Sequence, residues 1–263
     1  MSLSVFAFGC HPDDIEILMS GTLFLLREAG ATIHYMNPAN GCLGSNEYSK
    51  EETIRVRRQE AIEAAEMLGA TYHESIANDF EVFYNPDLLR KVTAIVRDVR
   101  PDILLLLSPQ DYMEDHMNAS RLGYGAAFLR GMKNYTTDPE RAPYLDDVAV
   151  YHAMPYSLVT MLNEPVWPHF CVDVKSVMDQ KRSMLALHRS QKTWLDETQG
   201  LDSYISAMAD HAAEVGRISG VFYYAEGWRR HNHLGFCRKG YRPLEETLEN
   251  YACEIEPRIT SHT

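Results

Sequence analysis

The sequence predicts an α/β fold in which a Rossmann-like, mostly parallel sheet carries helices on both faces. Apolar segments of strand length alternate with amphipathic segments of helix length through residue 108. The first segment, Ser4–Phe8, is apolar at nearly every position, as expected for a strand buried on both faces of a parallel sheet. Strands that follow one another through helices form right-handed crossovers, and such crossovers build a parallel sheet.

The other elements of the first half are assigned from apolar periodicity and from residues that start or stop helices. Gly30 and Gly69 follow two of the predicted helices, and Asn85 with Pro86 opens a third. The predicted helices are 15–29, 51–68 and 86–99, and the predicted strands that follow the first one are 32–36, 71–76 and 102–108.

The second half of the chain is less regular. Helices are expected over 118–132 and 176–188, and strands over 148–152 and 170–174. The tail beyond residue 216 is rich in aromatic and basic residues and receives no assignment. Because no linker or repeat interrupts the chain, we expect a single domain over 1–263, with segment 217–263 contributing to the rim of the active site.

Composition excludes several classes of function. The chain has 25 basic and 37 acidic residues, a formal net charge of −12, which argues against nucleic acid as a partner. No apolar segment approaches the roughly 20 residues of a membrane span, and no secretory signal begins the chain, so we expect no membrane partner and a cytoplasmic location. The five cysteines are scattered without CxxC spacing, which indicates reduced thiols.

The joint after the first strand, "GCHPDD", carries candidate catalytic residues. In an open α/β sheet, ligands bind beyond the carboxyl ends of the strands. The joint lacks the GxGxxG of a dinucleotide site, and its carboxylates would repel a pyrophosphate. His11 and Asp14 are spaced to converge on a divalent metal, with Asp13 beside them. The alternative is that Asp13 or Asp14 caps the helix and His11 is a surface histidine.

A third ligand is expected after the strongest strand, where the sequence continues "SPQDYMEDHMNAS". Asp115 and His116 lie in this stretch just before a predicted helix. Because parallel strands end at one edge of the sheet, His116 is placed on the same side as His11. The alternative is an exposed histidine at the start of a helix.

Five segments resemble one known family. "CHPDD", "GTL", "RRQEAIEAAEMLGA", "EDH" and "ALHRSQ" occur in the order found in the PIG-L/LmbE-like family of metal-dependent N-acetylglucosaminyl deacetylases, and the resemblance spans most of residues 3–191. It implies an LmbE-like fold. It also implies a hydrolase of linear amide C–N bonds that removes acetyl from an N-acetylglucosamine-type sugar or conjugate by metal-activated water, with Zn²⁺ as cofactor and Fe²⁺ as the alternative.

The resemblance also implies roles for individual residues. His11, Asp14 and His116 would hold zinc, and Asp13 would be the catalytic general base. Arg57 matches the position that contacts the sugar, although a solvated arginine within a charged run is the alternative. The remaining expected substrate contacts are Asp115 and Asn40, the latter in loop 37–49.

Two departures from the family pattern put the protonation machinery in question. Met113 stands where the family has a histidine, and Ile15 replaces a frequent glutamate. Methionine can neither donate a proton nor stabilise an oxyanion. A replacement group would have to come from another residue, and the candidates are Asp111, Glu114, His152, His231 and His233.

Two other functions remain open. One is a metal-dependent hydrolase of another amide or ester bond, and the other is a non-catalytic sugar- or nucleotide-binding module on the same fold. Asp13 argues against a binding module, which has little use for a base beside the metal. The expected partner is a small-molecule acetamido sugar or glycoconjugate, and a homo-oligomer is compatible with the sequence.

Overall fold

The computed structural model describes residues 2–192 and 203–256, which fold around one mixed sheet. Its strands are β1 Ser4–Phe8, β2 Thr32–Met36, β3 Thr71–His73, β4 Ile103–Leu106, β5 Ala149–Ala153, β6 Phe170–Asp173, β7 Ala225–Arg230 and β8 Ala252–Glu254. They lie in the order β3-β2-β1-β4-β5-β7-β6-β8. This arrangement confirms the predicted α/β class.

Helices flank this sheet. They are α1 Asp14–Leu18, α2 Ser20–Glu28, α3 Lys50–Leu68, α4 Pro86–Val99, α5 Glu114–Leu129, α6 Met178–Leu185, α7 Ser203–Ser219 and α8 Pro243–Thr247, with a short 3₁₀ helix at Lys175–Val177. Within the described residues, none of these helices has the length and apolar composition needed to cross a bilayer. Helix α5 begins four residues before the predicted start, so Asp115 and His116 lie in its first turn.

The first five strands are parallel and bring the site residues to one edge. Phe8 at the end of β1 is level with Leu106 at the end of β4, and with Met36 at the end of β2. The segments that leave β1 and β4 therefore start side by side. Beyond β5 the pairing becomes antiparallel through β7, β6 and β8. Strands β7 and β8 come from the tail that the sequence left unassigned, and helix α7 lies mostly in the stretch before that tail, which also received no element.

The predicted helix 15–29 is broken at Met19, and two buried charges occupy the break. The Lys181 ammonium donates to two backbone carbonyls of α1, while the Glu226 carboxylate accepts two amides from the first turn of α2. Lys181 and Glu226 also contact each other at 2.6 Å. Each charge thus satisfies backbone groups that a helix end leaves without partners.

We expect this buried ion pair to be a strong determinant of stability. Glu226→Gln leaves the Lys181 ammonium uncompensated in the core, so the free energy of unfolding should fall by about 3–5 kcal/mol. Glu74→Gln is the matched control, because Glu74 pairs with Arg58 at the surface and should cost no more than about 1 kcal/mol. Urea denaturation of both variants measures the difference, and equal losses would contradict a structural role for the buried pair.

Candidate functional site

A cavity of about 440 Å³ opens at the carboxyl edge of the sheet, where the segments after β1 and β4 meet. Charged and protic side chains form its floor: His11, Asp13, Asp14, Arg57, His116 and Tyr204. Apolar side chains form most of the remaining wall. The predicted ligands and the predicted base therefore share one cavity, which is the arrangement expected of an active site.

Asp14 lies between the two predicted histidine ligands. Its Oδ1 atom is 3.3 Å from Nε2 of His116, and its Oδ2 atom is 3.7 Å from Nδ1 of His11. The backbone amides of Cys10 and His11 donate to Oδ2, which fixes the carboxylate in place. Burial works to raise the pKa of Asp14, but the imidazoles of His116 and His11 hold it below the usual range. Asp14 is therefore an anionic group.

A second carboxylate lies behind each imidazole. Nε2 of His11 is 3.1 Å from Asp115 Oδ2, and Nδ1 of His116 is 3.2 Å from Asp111 Oδ1. When a carboxylate accepts the proton of the remote ring nitrogen, the other nitrogen is left basic and correctly oriented for a metal. The set of His11, Asp14 and His116 with their carboxylate partners thus fits a divalent metal that keeps an open coordination position toward the cavity.

Cys10 is a second candidate for metal ligation. Ligand atoms of Cys10, His11 and Asp14 lie within 4.8 Å of one another. The Cys10 sulfur, however, is 3.9 Å from Nε2 of His11, the ring nitrogen that also faces Asp115. Burial raises the pKa of the Cys10 thiol to about 12, whereas metal ligation needs the thiolate. The geometry therefore favours His116 over Cys10.

Asp13 has a strained backbone and a crowded carboxylate. Its φ of 129° lies in the region that favours glycine, and such strain is concentrated at functional sites. The Tyr204 hydroxyl donates to Asp13 Oδ2 at 2.8 Å, and the Arg57 guanidinium is 3.3 Å from the same atom. Burial raises the pKa of Asp13, and nearby Asp14 adds to the rise, while Arg57 and Tyr204 act against it. This rise brings the pKa of the Asp13 carboxyl closer to the pKa of an effective general base at neutral pH.

The "HRSQ" segment contributes to both packing and the cavity. His188 is fully buried, with Nε2 3.2 Å from the carboxylate of Glu16, and the Tyr35 hydroxyl donates to that carboxylate at 2.9 Å. Gln191 lines the cavity and donates from Nε2 to the carbonyl of Gly44. The segment therefore supports the floor below Asp13 and holds the loop above it.

The three predicted substrate contacts have protein partners in this structure. Arg57 lines the cavity but is buried and donates to the carbonyls of Pro12 and Gly41, so it is not a solvated arginine. Asp115 is buried behind His11, which gives it a positioning role for the imidazole. Asn40 pairs with Asn78 and lines a neighbouring cavity.

Most candidates for the missing histidine lie away from the floor. Asp111 is behind His116, and Glu114 accepts from Asn118. His152 is bonded to His231 at 2.9 Å, and His231 and His233 line a separate cavity. Several described tail residues line that separate cavity, among them Arg230 and Tyr241.

Sequence reasoning missed Tyr204, the protic side chain that contacts Asp13. It lies in the first turn of α7, in a part of the chain that received no element assignment. A helical period over 203–219, with Tyr204, Met208, Ala212 and Val215 buried, was the signal that could have found the helix. That helical period does not indicate that the Tyr204 hydroxyl contacts a base 191 residues earlier in the chain.

Comparison with known proteins gives one family and several relatives. Residues 6–127 match the PIG-L family, described as GlcNAc-PI de-N-acetylase. Diacetylchitobiose deacetylase of Thermococcus kodakarensis is 26% identical over 233 residues, which cover 81% of this chain and 82% of that protein. 4-oxalmesaconate hydratase of Pseudomonas putida is 26% identical over 140 residues, 50% of this chain and 54% of that protein.

A solved structure shows the same fold. N,N'-diacetylchitobiose deacetylase from Pyrococcus horikoshii, determined with an inhibitor, superposes with a TM-score of 0.74 at 24% identity, and the match covers 88% of this chain and 84% of that one. The match extends well beyond the 6–127 region. The shared fold is therefore not limited to the segment that carries the proposed ligands.

The position of Asp115 leads to a testable prediction. Asp115→Asn removes the carboxylate that orients His11, so affinity for Zn²⁺ should fall about 10- to 100-fold. If Asp115 were a substrate contact instead, KM would rise and metal affinity would stay unchanged. Asn40→Ala is the control, because Asn40 lines the neighbouring cavity and should leave metal affinity as it is. Competition with a chromogenic chelator measures both variants.

Proposed function

We propose that the protein is a zinc-dependent hydrolase of the PIG-L family, whose model residues 6–127 match, and that it removes acetyl from an N-acetylglucosamine-type sugar or conjugate. One observation carries the proposal: a partly buried carboxylate, Asp13, adjoins the His11, Asp14 and His116 set and opens on the same cavity. The relative from Thermococcus kodakarensis, which covers most of the chain and is named for this chemistry, supports it.

The reaction divides between the metal and the side chains of this chain. His11, Asp14 and His116 would hold the divalent metal, which when bound would supply a nucleophile at neutral pH and polarise the acetamide carbonyl. Asp13 accepts the proton of the attacking water and returns it to the departing nitrogen as the amide C–N bond breaks, which yields acetate and a free amine. The raised pKa of Asp13 suits both transfers.

Arg57 and Tyr204 position the base. Arg57 joins the carbonyl of Pro12 to the carboxylate of Asp13, which holds the strained joint in place. Tyr204 donates to Asp13 Oδ2, so the other oxygen of Asp13 is left to accept a proton. Met113 lines the cavity at the sequence position where the family has a protic group. Of the protic side chains that line the cavity, Tyr204 comes nearest to the role of that missing group.

A hydratase is the second candidate, since one relative over half the chain has that name. The same metal and base could add water to a carbon–carbon double bond. The charges of the cavity argue against a polycarboxylate substrate, because Asp13, Asp14 and Asp79 line it and Arg57, the arginine that lines it among the described residues, is already bonded to the protein. Measuring amine release from N-acetylglucosamine beside loss of diene absorbance from 4-oxalmesaconate separates the two functions.

Two substitutions test the assigned roles. Asp13→Asn should keep the metal and lose about 10²- to 10⁴-fold in the rate of amine release, because the proton transfer is lost while the ligands remain. His116→Ala should lose both metal and activity. Metal content by atomic emission and amine release by fluorescamine are measured on the same samples. Full metal occupancy in His116→Ala protein would contradict the ligand set.

Tyr204→Phe tests the positioning of the base. Loss of the hydroxyl frees the Asp13 carboxylate to rotate, so kcat should fall about tenfold, comparable to the loss of one charge-assisted hydrogen bond. Metal content should not change. Tyr223→Phe, at an exposed position, is the control and should leave kcat at the wild-type value. An unchanged kcat in Tyr204→Phe would remove Tyr204 from the account.

A further inference from the structure

The mouth of the cavity is built from exposed apolar side chains. Leu43, Phe80, Tyr112 and Tyr156 line it, with exposed fractions of 59%, 58%, 51% and 38%. Large apolar side chains left in water cost free energy, and clusters of them beside a cavity mark places where a ligand covers them. The charged floor and this apolar mouth form two chemically different halves of one site.

The backbone presents Phe80 in a strained and anchored conformation. Its φ of 59° is in the left-handed region, which a bulky residue rarely adopts. The Phe80 amide donates to Asp115 Oδ2 at 2.6 Å, and the same oxygen faces Nε2 of His11. The aromatic ring at the mouth is therefore fixed through one carboxylate to the imidazole at the floor.

Leu43 is anchored by Asp79, the residue that precedes Phe80 in the chain. The carboxylate of Asp79 accepts the amides of Gly41 at 2.7 Å and of Leu43 at 2.9 Å. Leu43 is thus held by Asp79, while Phe80 itself is held by Asp115. The exposure of Phe80 is a built feature of the mouth, since strain of this kind persists only where the surroundings enforce it.

Most polar side chains that line the wall, among the residues the structure describes, are already bonded within the protein. Arg57 donates to two backbone carbonyls and to the Asp13 carboxylate. Asp79 accepts two backbone amides. Gln191 donates to the Gly44 carbonyl, and Tyr204 donates to Asp13. A bare hexose needs hydrogen-bonding partners for each of its hydroxyls. Beyond the floor, the described part of the wall offers mainly apolar and aromatic surface, interrupted by the hydroxyls of Tyr112 and Tyr156.

We propose that the substrate is an N-acetylglucosamine unit joined to an apolar aglycone, which packs against Phe80 and Leu43 while the acetamide reaches the floor. The proposal rests on the proposed deacetylase function and adds the class of conjugate. It assigns specificity to the two residues of the mouth whose backbones Asp115 and Asp79 hold in place.

The test compares free N-acetylglucosamine with its phenyl β-glycoside as substrates of the zinc-loaded enzyme, by amine release. The phenyl glycoside should have a kcat/KM at least about tenfold higher, mainly through a lower KM, because a buried phenyl ring contributes about that much binding. In Phe80→Ala the ratio of the two kcat/KM values should fall toward one. Phe83→Ala is the matched control: Phe83 is an equally exposed phenylalanine three residues away, and its substitution should leave the ratio unchanged.

A second variant, Leu43→Ser, keeps the test decisive should Phe80→Ala fold poorly, and its ratio should also fall. Amine release from both substrates with equal kcat/KM would overturn the proposal while the deacetylase function stands. A high ratio that neither variant lowers would overturn the role of the mouth. No amine release from either substrate would overturn the deacetylase function and this proposal with it.

Discussion

The carboxylate of Asp14 is the group on which the candidate site depends. It accepts the amides of Cys10 and His11 from its own joint and lies 3.3 Å from Nε2 of His116, which belongs to a segment a hundred residues later. The level ends of β1 and β4 make that meeting geometrically available. Two imidazoles around one buried anion form an arrangement that a divalent cation would complete.

The second half of the chain supports a site whose ligands come from the first half. Lys181 and Glu226 bridge the break between α1 and α2 and so hold the helix that begins at Asp14. His188 packs on Glu16 below the floor, and Tyr204 bonds to Asp13. Each of these contacts places a charge or a proton beside α1, α2 or the joint that precedes them. The antiparallel strands and α7 thus support the candidate site.

The fold class and the proximity of His11, Asp14 and His116 could be predicted from the sequence because both follow from local rules. Apolar runs and helix stops locate the parallel strands, and residues after their carboxyl ends meet at one edge. The helix break at Met19 could not be predicted in this way, since apolar periodicity continues across it and its cause is a pair of charges far along the chain. The same holds for Tyr204 and for the carboxylate of Asp115 behind His11, whose partners lie 191 and 104 residues away.

The ligand set itself is tested most directly by X-ray absorption of the zinc-loaded protein. Coordination by His11, Asp14 and His116 predicts a first shell of nitrogen and oxygen at about 2.0–2.2 Å, with the multiple scattering of two imidazoles. Ligation by Cys10, the other group within reach, would add a sulfur atom at about 2.3 Å. A shell of nitrogen and oxygen alone supports the account, and a sulfur atom in the first shell would contradict it.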